Sequence, residues 1–316
     1  MTRLLITRRL PDSVMAAARD RYDVTLREAP GPLTAEEARA ALADYDALLP
    51  TIGDALGADA FGGSPRARIM ANFGVGVNHI DVAAARAAGL TVTNTPGAVT
   101  DATADIAMTL ILMTCRRAGE GERMLRAGRW EGWHPVQLLG RDLGRLTVGI
   151  VGMGRIGKAV ARRCHYGFGM EVRFYNRSRV PHPGVPAHQI DTLEVMVREA
   201  DIVVLAVPAT PETRHMIDAR VLAGMKDDAI LINIARGDVV DEAALVAALQ
   251  EGTIGGAGLD VYEREPEVPQ ALIGMENVTL LPHLGTAALS VREAMGRMAL
   301  DNLAAFFDGR EVLNPV

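Results

Sequence analysis

Short apolar runs alternate with helical patterns from one end of the 316-residue chain to the other. In the first third, Leu4–Thr7, Asp23–Leu26, Ala47–Leu49, Ile69–Asn72 and Thr91–Asn94 read as strands. Asp12–Arg19 and Thr34–Ala43 read as helices between them, the second opened by a capping box of Thr34 and Glu37. Asp101–Arg126 then contains no proline and carries Ile106, Leu110, Met113 and Met124 in a helical pattern, which predicts one long helix. A second series begins at Leu146. Its predicted strands are Leu146–Val151, Val172–Tyr175, Ile202–Val207, Ile230–Ile234, Gly258–Val261 and Val278–Leu281. Helices Ile156–Cys164, Leu193–Glu199, Asp218–Ala223 and Glu242–Gln250 fall between them, and Val291–Phe307, stopped by Gly309, closes the chain. The stretches 202–207 and 230–235 are nearly all apolar, the mark of parallel strands covered on both faces. This order predicts an α/β fold with parallel sheets. The length exceeds what one core usually supports, so two domains are expected.

Composition narrows the function. Apolar residues make up 49%, charged residues 23% and aromatics only 4%, as in an ordinary α/β protein with tightly packed helices. The net charge of −6 argues against a general nucleic-acid binder. The N-terminal MTRLLITRRL carries charges where a signal peptide needs an apolar run, and no apolar stretch reaches membrane-spanning length. Cys115 and Cys164 form no CxxC pair and no metal-ligand cluster, so they read as buried thiols and no metal is expected. A cytoplasmic protein that binds neither nucleic acid nor membrane is the resulting expectation.

The strand Leu146–Val151 runs directly into Gly152-Met153-Gly154-Arg155-Ile156-Gly157, and a helix follows. Strand, GxGxxG and helix in that order predict a Rossmann-type, doubly wound sheet that binds a dinucleotide. Gly152 permits the tight turn, Gly154 lets the backbone approach a pyrophosphate, and Gly157 allows close helix–strand packing. The N–H groups of Arg155 and Ile156 would face the phosphates at the positive end of the helix dipole. The next strand ends in Asn176-Arg177-Ser178, with Arg179 beyond, where an NAD site usually carries a carboxylate for the ribose 2′-hydroxyl. With no carboxylate to repel a 2′-phosphate and a guanidinium to bind it, NADP(H) is the preferred cofactor, with NAD(H) possible. The alternative is that Arg177 and Arg179 are only solvated loop charges.

Three further features sit at or after the ends of late strands, on the edge where open α/β sheets bind ligands: Arg236 after 230–234, Asp260 at the end of 258–261 with Glu265 beyond it, and His283 after the last strand. Singly, each is weak, since most histidines are packed or solvated. Together they match the needs of 2-keto acid reduction. An arginine grips the carboxylate in bidentate fashion and polarises the keto oxygen. A histidine donates the proton, and a carboxylate beside it keeps it protonated and oriented.

The segments NFGVGVNHID (72–81), TNTPGAVTDATAD (93–105), LLGRDLG (138–144), VGMGRIGKAVARR (151–163), INIARGDVVDEAALVAAL (232–249), GLDVYEREP (258–266) and LPHLGTA (281–287) resemble the D-isomer-specific 2-hydroxyacid dehydrogenases. Within them the chain is similar to the glyoxylate/hydroxypyruvate reductases. The resemblance spans almost the whole sequence. It implies Arg236 as the binder of the substrate carboxylate and carbonyl, His283 as acid/base and Glu265 as its partner. It further implies substrate contacts from the backbone N–H groups of Val75 and Gly76. Val207, Pro208, Thr213, Ala235, Asp260 and Gly285 would join the glycine loop in holding the cofactor, with Asp260 near the carboxamide. Asp260 could instead be a structural cap, and Val75–Gly76 a plain turn. The implied layout is a cofactor domain over 99–284 inserted into a smaller flavodoxin-like α/β substrate domain, made of 1–98 and the returning 285–316. A homodimer is implied, formed through the cofactor domain with the long helix after Thr100 involved. Trp133, before LLGRDLG, and more weakly Leu49-Pro50-Thr51, are candidate walls favouring a small substrate. Another enzyme of the family, such as a phosphoglycerate dehydrogenase or a broad 2-keto acid reductase, stays open. A non-catalytic dinucleotide-sensing corepressor is the remote alternative.

Overall fold

A computed structural model describes all residues, 1–316, as two units: Met1–Val99 with Thr286–Val316, and Thr100–Gly285. In the first unit, strands β1 (Arg3–Ile6), β2 (Asp23–Leu26), β3 (Ala47–Leu49), β4 (Ile69–Ala71) and β5 (Thr91–Thr93) form an all-parallel sheet of order β2-β1-β3-β4-β5. That is the flavodoxin-like order. Helices α1 (Asp12–Arg21), α2 (Ala35–Asp44) and α3 (Val82–Ala87) provide the crossovers. The Thr34/Glu37 capping box forms as read, and Asp81 caps α3, a short helix that the sequence pattern did not signal.

The second unit opens with α4 (Thr100–Cys115) and α5 (Ala118–Arg126). The single helix expected over 101–126 is therefore broken. Arg117 adopts a left-handed conformation (φ 52°), and the carbonyl of Cys115, which a continuous helix would use internally, accepts the N–H of Arg141 at 2.8 Å. The break is thus fixed by the distant segment around Arg141, not by a local proline.

Next come β6 (Thr147–Val151), α6 (Arg155–Arg162), β7 (Glu171–Tyr175), β8 (His188–Gln189), α7 (Leu193–Glu199), β9 (Ile202–Leu205), α8 (Ala219–Ala223), β10 (Ile230–Asn233), α9 (Glu242–Gln250), β11 (Gly256–Leu259), α10 (Gln270–Gly274) and β12 (Val278–Leu280). They form a seven-stranded parallel sheet of order β12-β11-β10-β9-β6-β7-β8. The order reverses between β6 and β9, the topological switch point where such sheets bind ligands. Alternation along β9 explains its apolar sequence. Val203 and Leu205 pack with Met196, Val197, Leu222 and Leu245 on one face, while Ile202 and Val204 join Ala104, Leu110, Ala159 and Val160 on the other. The chain then returns to the first unit as α11 (Leu289–Phe307). No helix is long and apolar enough to cross a membrane.

Cys115 and Cys164 are free and buried in the second unit's core. Burial pushes their thiols up, to about 11 and about 12. The native protein is therefore expected to leave both unmodified by a thiol-specific reagent at pH 8, with both reacting once the chain is unfolded. Stoichiometric labelling before denaturant would contradict this burial.

Candidate active site

The glycine loop lies at the C-terminal end of β6. Gly152 has φ 97°, and a Cβ there would meet the Ala206 carbonyl oxygen and a Val207 methyl, each at 2.8 Å. A Cβ on Gly157 would lie 2.1 Å from the Gly152 carbonyl oxygen, so only glycine lets α6 start this close to β6. Gly154 differs: it is the N-cap residue, has no side-chain cap, and a Cβ there would have nothing within 4 Å. The first N–H groups of α6, at Arg155 and Ile156, therefore border open space at the positive helix end. That donor set fits a dinucleotide pyrophosphate.

The end of β7 is tied to this loop. Asn176 Oδ1 accepts the Met153 N–H at 3.1 Å, and its Nδ2 donates to the Ser178 carbonyl (2.9 Å) and hydroxyl (3.2 Å). Gln189 Nε2 donates to the carbonyls of Asn176 and Ser178. Arg177, Ser178 and Arg179 are exposed. On the neighbouring loop, Thr213 Oγ1 donates to the Pro208 carbonyl at 2.8 Å and accepts the Thr210 N–H at 2.8 Å, closing the turn after Val207. Glu212 in that turn is held below the usual carboxylate range, first by the Thr210 hydroxyl and also by the charge of Arg177.

At the end of β12, His283 Nδ1 and Glu265 Oε2 are 2.8 Å apart, with the two side chains 26% and 32% exposed. Glu265 Oε1 accepts the Tyr262 N–H at 3.1 Å. Burial alone would push the Glu265 carboxyl up. The hydrogen bond and charge of His283, the Tyr262 N–H and the charge of Arg236 outweigh it and hold the group below its ordinary value. His283 itself is left-handed (φ 54°), with its backbone N–H donating to the Asp260 carbonyl at 2.9 Å. Asp260 is 1% exposed, and its two carboxylate oxygens accept the N–H groups of Leu284 (2.6 Å) and Gly285 (2.8 Å). It therefore acts as a cap that fixes the His283 turn. Thr103 adds a hydrogen bond from its hydroxyl to the Gly285 carbonyl. Tyr262 contributes twice, because its hydroxyl also donates to the Leu281 carbonyl at 2.9 Å.

Arg236 follows β10. Asn233, buried inside the turn, donates to the Arg236 carbonyl and accepts the Ala235 N–H. Burial pulls the Arg236 guanidinium below its usual value, and the charges of Glu265 and Asp238 oppose the shift. The second unit thus gathers His283, Glu265, Asp260 and Gly285 into one turn system, with Arg236 within electrostatic reach of Glu265.

In the first unit, Val75 and Gly76 follow β4. Their carbonyls accept from Asn94 Nδ2 (2.8 Å) and Asn72 Nδ2 (3.0 Å), and neither N–H takes part in a backbone hydrogen bond. Leu49, Pro50 and Thr51 are buried in that unit, and the Thr51 and Thr7 hydroxyls share a hydrogen bond. Trp133 is 78% exposed in its own chain. A second imidazole–carboxylate pair, outside the sequence expectations, joins His215 Nε2 to Glu263 Oε1 at 3.0 Å. Its only sequence signal is an acidic residue two positions before Glu265.

Comparison with known proteins gives a consistent result. Residues 108–285 match the family model described as D-isomer specific 2-hydroxyacid dehydrogenase, NAD binding domain. A glyoxylate reductase of Thermococcus gammatolerans is 44% identical over 316 residues, covering 97% of this chain and 93% of the relative. The crystal structure of a Thermus thermophilus protein superposes with a TM-score of 0.92 at 42% identity, covering 99% of each chain. An NADPH-dependent glyoxylate/hydroxypyruvate reductase from Sinorhizobium meliloti, solved with NADP and malonate, does so with a TM-score of 0.89 at 38% identity, covering 100% of this chain and 96% of the other.

Proposed function

The chain belongs to the D-isomer-specific 2-hydroxyacid dehydrogenase family, and from that premise we propose that it reduces glyoxylate or hydroxypyruvate to the 2-hydroxy acid with NADPH, the product being of D configuration where it is chiral. The observation that carries this reading is the 2.8 Å pair of His283 and Glu265, on the same sheet edge as the glycine loop. When bound, the nicotinamide cofactor supplies the hydride. Gly152, Gly154, Gly157 and the N–H groups of Arg155 and Ile156 hold its pyrophosphate. Val207, Pro208, Thr213, Ala235, Asp260 and Gly285 line the rest of its site.

Arg236 grips the substrate carboxylate and polarises the keto oxygen. His283, with Nδ1 turned to Glu265, has Nε2 as the nitrogen that hands a proton to the keto oxygen. Glu265, kept ionised, stabilises the protonated imidazole and fixes its orientation. The protein acts in the cytoplasm, where its two free thiols suit a reducing compartment. It acts as a homodimer, whose second copy covers the apolar side chains of Leu125, Trp130, Trp133, Val136 and Leu139, each more than half exposed in the single chain.

The preference for NADPH is supported by Asn176, whose side chain is spent on the glycine loop, and by exposed Arg177 and Arg179 beside it. A panel of glyoxylate, hydroxypyruvate, pyruvate and phenylpyruvate with each nucleotide tests the proposal. The two small acids with NADPH are expected to give the highest kcat/KM. Arg177→Ala is expected to lower the NADPH-to-NADH ratio by about 10–100-fold, the scale of one charge-assisted hydrogen bond. Equal or better turnover with NADH in the native enzyme defeats the cofactor assignment. No turnover of any 2-keto acid defeats the whole reading.

A further inference from the structure

Two histidines of the second unit share an unusual state: His215 (φ 50°) and His283 (φ 54°) are both left-handed, and each is bonded to a glutamate of the 262–265 turn. A non-glycine residue held in this region signals surroundings that over-determine it. Around His215 both its backbone and its ring are held. Its backbone N–H donates to the Asp238 carbonyl at 2.8 Å, and Ile217 N–H and Asp241 N–H continue the lacing along Val239 and Ile217. Its Nε2 pairs with Glu263 Oε1 at 3.0 Å, with the side chains 35% and 22% exposed. The Glu263 N–H in turn donates to Glu242 Oε2.

The peptide between Tyr262 and Glu263 is the meeting point. Gly237, the residue after Arg236, lies against it so closely that a Cβ would stand 1.9 Å from the Tyr262 carbonyl carbon and 2.2 Å from the Glu263 nitrogen. On the other side, the Tyr262 N–H holds the carboxylate that holds His283. The turn carrying Arg236 and the turn carrying Glu265 therefore abut backbone to backbone at Gly237. The His215–Glu263 pair is the side-chain brace across that contact, anchored at Asp238 on one turn and at Glu263 on the other.

We propose that His215 is a positioning residue: braced on Glu263, it sets the spacing between Arg236 and the Glu265–His283 pair. The proposal rests on the roles given above to those three residues. His215 touches neither the reacting atoms nor the cofactor in this scheme, and the Thr213 turn two residues earlier is closed by its own bonds to Pro208 and Thr210.

His215→Ala is expected to lower kcat/KM for glyoxylate by about 10–100-fold, the scale of a misplacement of about 1 Å. The KM for NADPH should stay within about twofold, because the glycine loop between β6 and α6 shares no backbone hydrogen bond with His215 or Glu263. His215→Gln, whose amide nitrogen can reach the same glutamate oxygen, should recover most of the loss. Arg214→Ala, which removes a 58% exposed cation 3.5 Å from the same oxygen, should change little. An unchanged kcat/KM in His215→Ala, an equal loss in His215→Gln, or a parallel rise in nucleotide KM each overturns the proposal. A proton NMR measurement decides it without turnover. The low-field imidazole N–H resonance of His283, assigned by its loss in His283→Asn, should shift or broaden in His215→Gln and His215→Ala in increasing order. An unmoved resonance overturns the brace, whereas a wild-type enzyme inactive on every keto acid overturns only the reading it rests on.

Discussion

Replacing His283 is expected to cut kcat by roughly 10²–10⁴-fold, with a much smaller change in the KM for the keto acid, because a lost general acid weakens the transition state more than the bound substrate. Two variants make the result readable. Alanine removes the ring but also places a residue ill suited to the left-handed conformation at φ 54°. Asparagine tolerates that conformation, keeps the backbone N–H bond to Asp260, and cannot carry the transferable proton. Equal losses in both variants, with unchanged thermal unfolding, assign the effect to the proton. Near-wild-type turnover in a well-folded His283→Asn enzyme would remove His283 from the chemistry. Glu265 should respond in step: without the imidazole, burial is no longer outweighed as strongly and its carboxyl rises toward its ordinary value.

Arg236→Ala is expected to lower kcat/KM for glyoxylate by about 10²–10⁴-fold, since two charge-assisted hydrogen bonds are worth about 1.5–3 kcal/mol each. The loss should divide between a raised KM, from the freed carboxylate, and a lowered kcat, from the unpolarised carbonyl. Arg236→Lys should restore only a small part, because an ammonium cannot make the planar, two-pronged contact. Nucleotide affinity measured by fluorescence should stay unchanged. An unaltered kcat/KM would reject the assignment outright. A loss confined to NADPH binding would move Arg236 into the cofactor site instead.

How much of this was legible in the sequence depends on whether the cause was local. The strands β9 and β10 announced themselves because burial on both faces demands unbroken apolar side chains. The glycine loop was legible because Gly152 and Gly157 each answer a steric demand from within a few residues or from the adjacent strand. β11 was harder to read, and it begins at Gly256, two residues before the expected start. There a Cβ on Gly258 would meet Ile232 at 2.8 Å and Leu110 at 3.0 Å, so close packing selected glycine over the β-branched residues that signal a strand. The break after Cys115 was not legible, and the pairing of His215 with Glu263 was barely so. The first depends on an amide 26 residues away and the second on a carboxylate 48 residues away.

The bond from the Arg141 N–H to the Cys115 carbonyl has an effect on the segment it closes. Residues 116–140 depart and rejoin the second unit at this peptide-to-peptide contact, and between its ends Arg123 pairs with Glu276 just before β12, so they form an excursion clipped at its base and tied once more along its length. The entropic cost of closing such an excursion grows only slowly with its length. Chimeras that exchange this excursion for one of different length or sequence, while retaining both ends of the clip and the Arg123–Glu276 pair, should leave the seven-stranded sheet intact and change only which surfaces the protein recognises.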